Sequence, residues 1–195
     1  MHVGAEFGQL PGVLAERELS LSFARVWSEL SGQRYTLAMR QRIFSADSIS
    51  LPLDVPGALR PAEHDDRKLL GSWMAGFSAE ALGKPDQRDV KRSLDYLLKF
   101  RAGGLFVWEH HGPVSMAGYG GPTPNGIRIN AVYTAPGHRG RGYASACVAH
   151  LSRRLLDAGR RLCFLFTDLS NPTSNKIYMR IGYRPVCDVD EYHFT

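Results

Sequence analysis

The segment Val132-Tyr-Thr-Ala-Pro-Gly-His-Arg-Gly-Arg-Gly-Tyr-Ala144 constrains this chain more than any other. Strand-forming residues are stopped by Pro136 and Gly137, and small residues then open a helix. The first turn of a helix has backbone N–H groups without an intrahelical acceptor, and the helix dipole makes that end positive. Gly140, Gly142 and Ala144 remove side-chain bulk, so an anion can approach those amides, and Arg139 and Arg141 add charge at the rim. A diphosphate suits this chemistry. The segment lacks the Lys-Ser/Thr ending of a nucleotide P-loop and the three-glycine spacing of a dinucleotide fold. The competing reading is a loop whose glycines serve the turn and whose arginines serve solvation. The order strand, breaker, glycines, helix favours the anion site.

Around this segment the chain reads as two parts. Residues 12–31 form a helix with Leu19, Phe23, Val26, Trp27 and Leu30 on one face, closed by Gly32. Residues 35–44 form a strand and 50–56 an extended connection. Such a piece cannot bury a core alone and must dock on the rest of the chain or on another copy, which makes a homodimer a candidate. From residue 57 the pattern is sequential α/β. A strand at 58–60 leads to a helix from Pro61 towards Phe77 with acidic residues in its first turn. A second helix covers 91–100. Strands at 105–109 and 114–119 are joined by a turn at His110-His111-Gly112, and a strand follows at 127–134. A helix at 140–156 is ended by Gly159. The apolar run 162–166 predicts a strand covered on both faces. A last helix spans 171–181, before short strands at 184–187 and 191–194. The expected fold is a mixed α/β sheet flanked by helices. Residues 57–195 form its main domain, and residues 1–56 form a helix-strand segment that is a candidate remnant of a second, similar lobe.

Composition sets bounds on function. The chain has 195 residues, with 44% hydrophobic and 22% charged side chains, enough for a full core and incompatible with wholesale disorder. There is no apolar run of about 18 residues, so no membrane partner is expected. Residues 1–7 lack the basic-then-apolar pattern of a secretory signal. Cys147, Cys163 and Cys187 are an odd, widely spaced set, which reads as reduced thiols of a cytoplasmic protein and not as a metal site. The net charge of +5 suits either nucleic acid or a phosphorylated cofactor, or serves solubility alone. The arginine pairs 139/141, 153/154 and 160/161 all fall in one region. The cofactor is the preferred partner, and nucleic acid is not expected.

Arg139-x-x-Gly142-x-Ala144 resembles the Arg/Gln-x-x-Gly-x-Gly/Ala signature of the GNAT superfamily of N-acetyltransferases. Asn171-Pro-Thr-Ser-Asn-Lys-Ile-Tyr-Met-Arg-Ile-Gly-Tyr183 is similar to the second motif of that superfamily. Ala144 and Tyr183 stand where glycine and phenylalanine are commoner. The resemblance covers residues 57–195 and implies an acyl-CoA-dependent N-acyltransferase that uses acetyl-CoA, or a short acyl-CoA, and a primary amine, with no metal. It implies that backbone groups of Val132, Tyr133 and Thr134 pair with the pantetheine arm. Amides of Arg139, Gly140, Arg141, Gly142, Tyr143 and Ala144 hold the pyrophosphate. Asn171 and Asn175 contact the pantetheine arm or acyl end, and Tyr178 sits beside the sulfur. A non-catalytic acyl-CoA-binding or regulatory module on the same fold is the alternative.

Elementary chemistry gives Tyr178 a role of its own, because acyl transfer expels a thiolate and a phenol can donate a proton to it. Asn171 and Tyr178 are close to two helical turns apart, so both project from one face. Asn171 also suits a helix N-cap. The general base is drawn from Glu80, Asp168, Glu109, His110 and His111, with Glu80 and Asp168 leading by position. Cys147 and Cys163 sit among apolar residues, where packing is their expected role.

Overall fold

In the computed structural model, which describes residues 8–82, 87–99 and 103–195, the chain divides into two compact units. One comprises Met1–Phe44, Phe166–Asn175 and Pro185–Thr195, and the other Ser45–Leu165 and Lys176–Arg184. The readings placed on residues 1–7 and on residue 100 lie outside the described residues.

In the first unit, strand β1 (Gly12–Glu16) precedes helix α1 (Arg17–Ser31), so the helix expected over 12–31 is in fact a strand and a helix. The Glu16 carboxylate makes the break, accepting the N–H groups of Glu18 and Leu19 as an N-cap. The buried face of α1 is Ser20, Ala24 and Trp27, whereas Leu19, Phe23, Val26 and Leu30 are 62%, 41%, 54% and 60% exposed. Small Ser20 and Ala24 let the helix lie close to Tyr192 and Phe194, so the larger apolar stripe points outward. The strand order here is β1, β8 (Arg184–Phe194), β2 (Tyr35–Ala46), with β1 antiparallel to β8. The two expected C-terminal strands are this single β8. Aspartates are poor strand formers, but Asp188 pairs with Arg42 at 2.6 Å and Asp190 faces Arg17 at 3.5 Å, which keeps the strand continuous.

The second unit orders its strands β7 (Leu162–Asp168), β6 (Gly126–Thr134), β5 (Pro113–Gly120), β4 (Gly104–Glu109), β3 (Ala58–Pro61). All neighbours are antiparallel except the parallel β6–β7 pair. Pro61 ends β3 and does not start a helix: on an edge strand its missing N–H costs nothing. Asp66 then takes the Glu63 N–H and ion-pairs with Arg60, and helix α2 begins at Arg67 and runs to Leu82. Helix α3 covers Gln87–Leu98. Leu70, Trp73 and Met74 of α2 and Val90, Leu94 and Leu97 of α3 bury one sheet face against Leu105, Val107 and Met116. Alternation along β4 turns Phe106 and Trp108 to the other face, where helix α4 (Tyr143–Asp157) brings His150 to 5.0 Å from Trp108. In β7, Cys163 and Leu165 are buried but Leu162 and Phe164 only half-buried, so the cover is not complete on both faces as expected. No helix among the described residues is long and apolar enough to cross a membrane.

Candidate functional site

The site is built on the far end of β6. Its parallel ladder with β7 includes Gly126, Ile127 and Arg128. On the other side β6 remains paired with β5 up to Thr134, with a register shift where Ala131 adopts φ +48°. That left-handed residue costs energy for any side chain but glycine's, and it re-aims the strand beyond it. The Ala135 N–H donates to Val114 O. Strand alternation therefore points the amide and carbonyl groups of Val132 and Thr134 away from β5. Ser115, fully buried, donates to Tyr133 O at 2.9 Å and lies 2.9 Å from Thr134 Oγ1, which fixes this stretch.

The anion site expected at Arg139–Ala144 follows a short 3-10 turn at Pro136–His138. Gly140 and Gly142 adopt φ +76° and +80°, so they cannot belong to a right-handed helix, and α4 starts at Tyr143, not at residue 140. No side chain caps α4, and its first backbone bond is Ala146 N–H to Gly142 O at 3.0 Å. The amides of Tyr143, Ala144 and Ser145 thus have no intrahelical acceptor and sit at the positive end of the dipole. A Cβ on Gly142 would lie 2.9 Å from Val55 Cγ2, so the extended segment before β3 packs directly on this turn.

Arg139 turns away from those amides. Its Nη2 donates to Glu80 Oε1 at 2.7 Å, its Nε to Thr134 O at 3.0 Å, and its guanidinium lies 5.4 Å from the Tyr133 ring centroid. The hydrogen bond to Glu80 raises the Arg139 pKa further. Tyr133 is braced by Trp73 and reaches α2 where Gly76 leaves room for its hydroxyl: a Cβ there would meet it at 2.7 Å.

Tyr178 lies near the end of helix α5 (Pro172–Arg180) and is 8% exposed. Burial, and secondarily the nearby Cys147 thiol, pushes its pKa up to about 12, so the phenol is protonated throughout the neutral range. Its ring packs edge-on against Tyr183, whose hydroxyl sits 2.7 Å from Ser152 Oγ. That buried partner accounts for tyrosine at position 183. These groups also set an alkaline limit. Burial raises Cys163 from 9.0 to about 11 and Tyr178 from 10.0 to about 12. Raised acids bind more protons folded than unfolded, so their stability contribution is whole below the unfolded values and falls as pH rises through the folded ones. The midpoint of urea unfolding is expected to hold up to pH 9.0 and to fall between there and about 12. A flat midpoint over that range would contradict the burial of these groups.

Asn171 and Asn175 belong to the first unit. Asn171 Oδ1 accepts the Ser174 N–H at 3.1 Å, the N-cap role weighed from sequence. Asn175 takes the Thr167 hydroxyl on Oδ1 and donates to Asp168 O at 3.4 Å, tying the end of β7 to α5. Asp168 accepts the Ser170 N–H in a local turn. Of the other base candidates, Glu109 pairs with Arg60, while the His110 ring lies tilted against His111 at 4.3 Å and against Tyr143 at 5.9 Å. Cys147 and Cys163 are fully buried, which suits packing. Among the described residues no group of three or more His, Cys, Asp and Glu is placed to hold a metal. Ala131, Val55, Ser115 and Gly76 were missed from sequence. Only Ser115, a small polar residue in an otherwise apolar stretch, left a signal there.

The sequence matches a known family, and the fold matches known proteins. The sequence model of the acetyltransferase (GNAT) family matches residues 69–183. A GCN5-related N-acetyltransferase from Kribbella flavida is similar in structure, with TM-score 0.68 and 17% identity over 93% of this chain and 67% of that one. A GNAT-family acetyltransferase from Novosphingobium aromaticivorans gives TM-score 0.59 and 20% identity over 84% and 67%. A predicted acetyltransferase of Clostridium acetobutylicum, solved with acetyl-CoA, gives TM-score 0.53 and 17% identity over 64% and 88%. At these identities the structures establish the fold, and this chain spans about two thirds of the first two proteins' length. No curated protein matches the sequence.

Proposed function

The chain belongs to the acetyltransferase (GNAT) family, and we propose that it transfers an acetyl or short acyl group from a coenzyme A thioester to a primary amine by direct attack. The observation that carries this reading is the uncapped start of α4 together with the backbone groups of Val132 and Thr134 that point away from β5. Amides from Gly140 to Ser145 suit a diphosphate, and the outward groups of Val132 and Thr134 suit the amides of a pantetheine arm laid along the strand. These residues fit such a cofactor by donor and acceptor type. The family resemblance adds Asn175 and Asn171 as contacts to the arm. Both side chains keep donors or acceptors beyond the bonds described above.

In the proposed step the amine nitrogen bonds to the acyl carbon and the carbon–sulfur bond breaks. The sulfur leaves with a proton from Tyr178, and the amine's surplus proton passes to a base, with Glu80 the leading group. Tyr178 suits the donor role because it is a neutral phenol at neutral pH. The reading is tested by calorimetric titration with acetyl-CoA, followed by thiol release across a panel of small amines, polyamines and peptides. Saturable binding with thiol release for at least one amine is expected. Binding without release from any amine, or no binding, contradicts the enzyme.

A further inference from the structure

The contacts of Arg139 have a consequence for cofactor binding, given the reading above on which this inference rests. The side chain that opens the cofactor motif spends its guanidinium on protein groups. It covers Thr134 O with Nε at 3.0 Å, holds Glu80 with Nη2 at 2.7 Å and lies over Tyr133. Thr134 O is one of the outward acceptors that an added strand needs. Glu80 stands on α2, a helix whose Trp73 and Gly76 meet the Tyr133 side chain on β6. The Arg139 arm thus reaches from the anion loop to α2. Both ends of the ion pair are about half exposed, at 45% and 54%, so the contact is weak enough to exchange.

We propose that Arg139 is a strap displaced by the cofactor, and that its displacement frees the Glu80 carboxylate for the acceptor amine. The incoming diphosphate competes with Glu80 for the guanidinium, and the pantetheine amide competes with Nε for Thr134 O. Once both have entered, the Glu80 carboxylate loses its cation and gains free lone pairs for an amine proton. Glu80 is therefore inhibitory towards the cofactor and useful to the amine, two effects of opposite sign in one residue.

The test uses full-length protein titrated calorimetrically with acetyl-CoA, as wild type, Glu80→Gln and Glu80→Ala. Because Glu80 is exposed, neither change threatens folding. Both variants are expected to bind acetyl-CoA about three-fold more tightly, the scale set by an exposed ion pair. With the amine giving the fastest thiol release, kcat is expected to fall about ten-fold or more. A purely structural role would weaken binding and rate together. Unchanged or weaker binding in both variants overturns the strap, and an unchanged kcat overturns the release of Glu80 to the amine. If wild type itself fails to bind acetyl-CoA, the underlying reading falls and takes the strap with it.

Discussion

Replacing Gly142 with alanine is expected to weaken acetyl-CoA binding by about 100-fold or more, because it damages the amides themselves and not a neighbouring charge. The residue sits at φ +80°, where a side chain costs about 1–2 kcal/mol. Its new Cβ would also stand 2.9 Å from Val55 Cγ2, a branched side chain with little freedom to yield. Relief of both strains requires the first turn of α4 to shift, which turns the amides of Tyr143, Ala144 and Ser145 away from a common point. A melting-temperature drop of about 2–8 °C should accompany the loss. Gly140→Ala is the internal control. Gly140 has φ +76° but no atom within 4 Å of an added Cβ, so it carries the backbone strain without the collision and should lose less affinity. Calorimetry and thermal melts of the two variants check this directly. Equal, mild effects would mean that Val55 does not define the turn.

Tyr178→Phe is expected to lower kcat by about 100-fold or more while leaving acetyl-CoA affinity within about two-fold. The hydroxyl is the only group removed, and no protein hydrogen bond to it is seen among the described residues. Its loss therefore orphans no partner, and stability should match or slightly exceed that of the wild type. This separates the variant from one that merely unfolds. With its pKa near 12, Tyr178 contributes no alkaline fall in rate below about pH 10, so any fall at lower pH belongs to another group. A phenylalanine variant with full turnover would remove the acid from the mechanism.

Legibility of the site in the sequence follows the range of the forces involved. The anion turn was readable because Pro136, Gly137, Gly140 and Gly142 act locally, through backbone freedom that no neighbour needs to supply. Even there the start of α4 was placed early, since glycine is compatible with both helix and left-handed turn and composition does not choose between them. Ala131 was invisible for the opposite reason. Alanine at φ +48° is held there by strand pairing on β5, a long-range effect without a local mark. The Arg139–Glu80 pair links residues 59 positions apart and needs the fold before it can be seen. The error on α1 is similar. Its apolar periodicity was real, but the close approach allowed by Ser20 and Ala24 decided which face was buried. Asp188 and Asp190 looked like a strand break until arginines from β2 and α1 were brought beside them.

The grip of the first amides of α4 on a diphosphate is tested most directly by amide proton–nitrogen correlation spectra of the labelled protein titrated with coenzyme A. The resonances of Tyr143, Ala144 and Ser145 should move together, saturate at one shared dissociation constant, and be among the largest displacements. Coenzyme A binding that leaves those three resonances in place would contradict the account at its base.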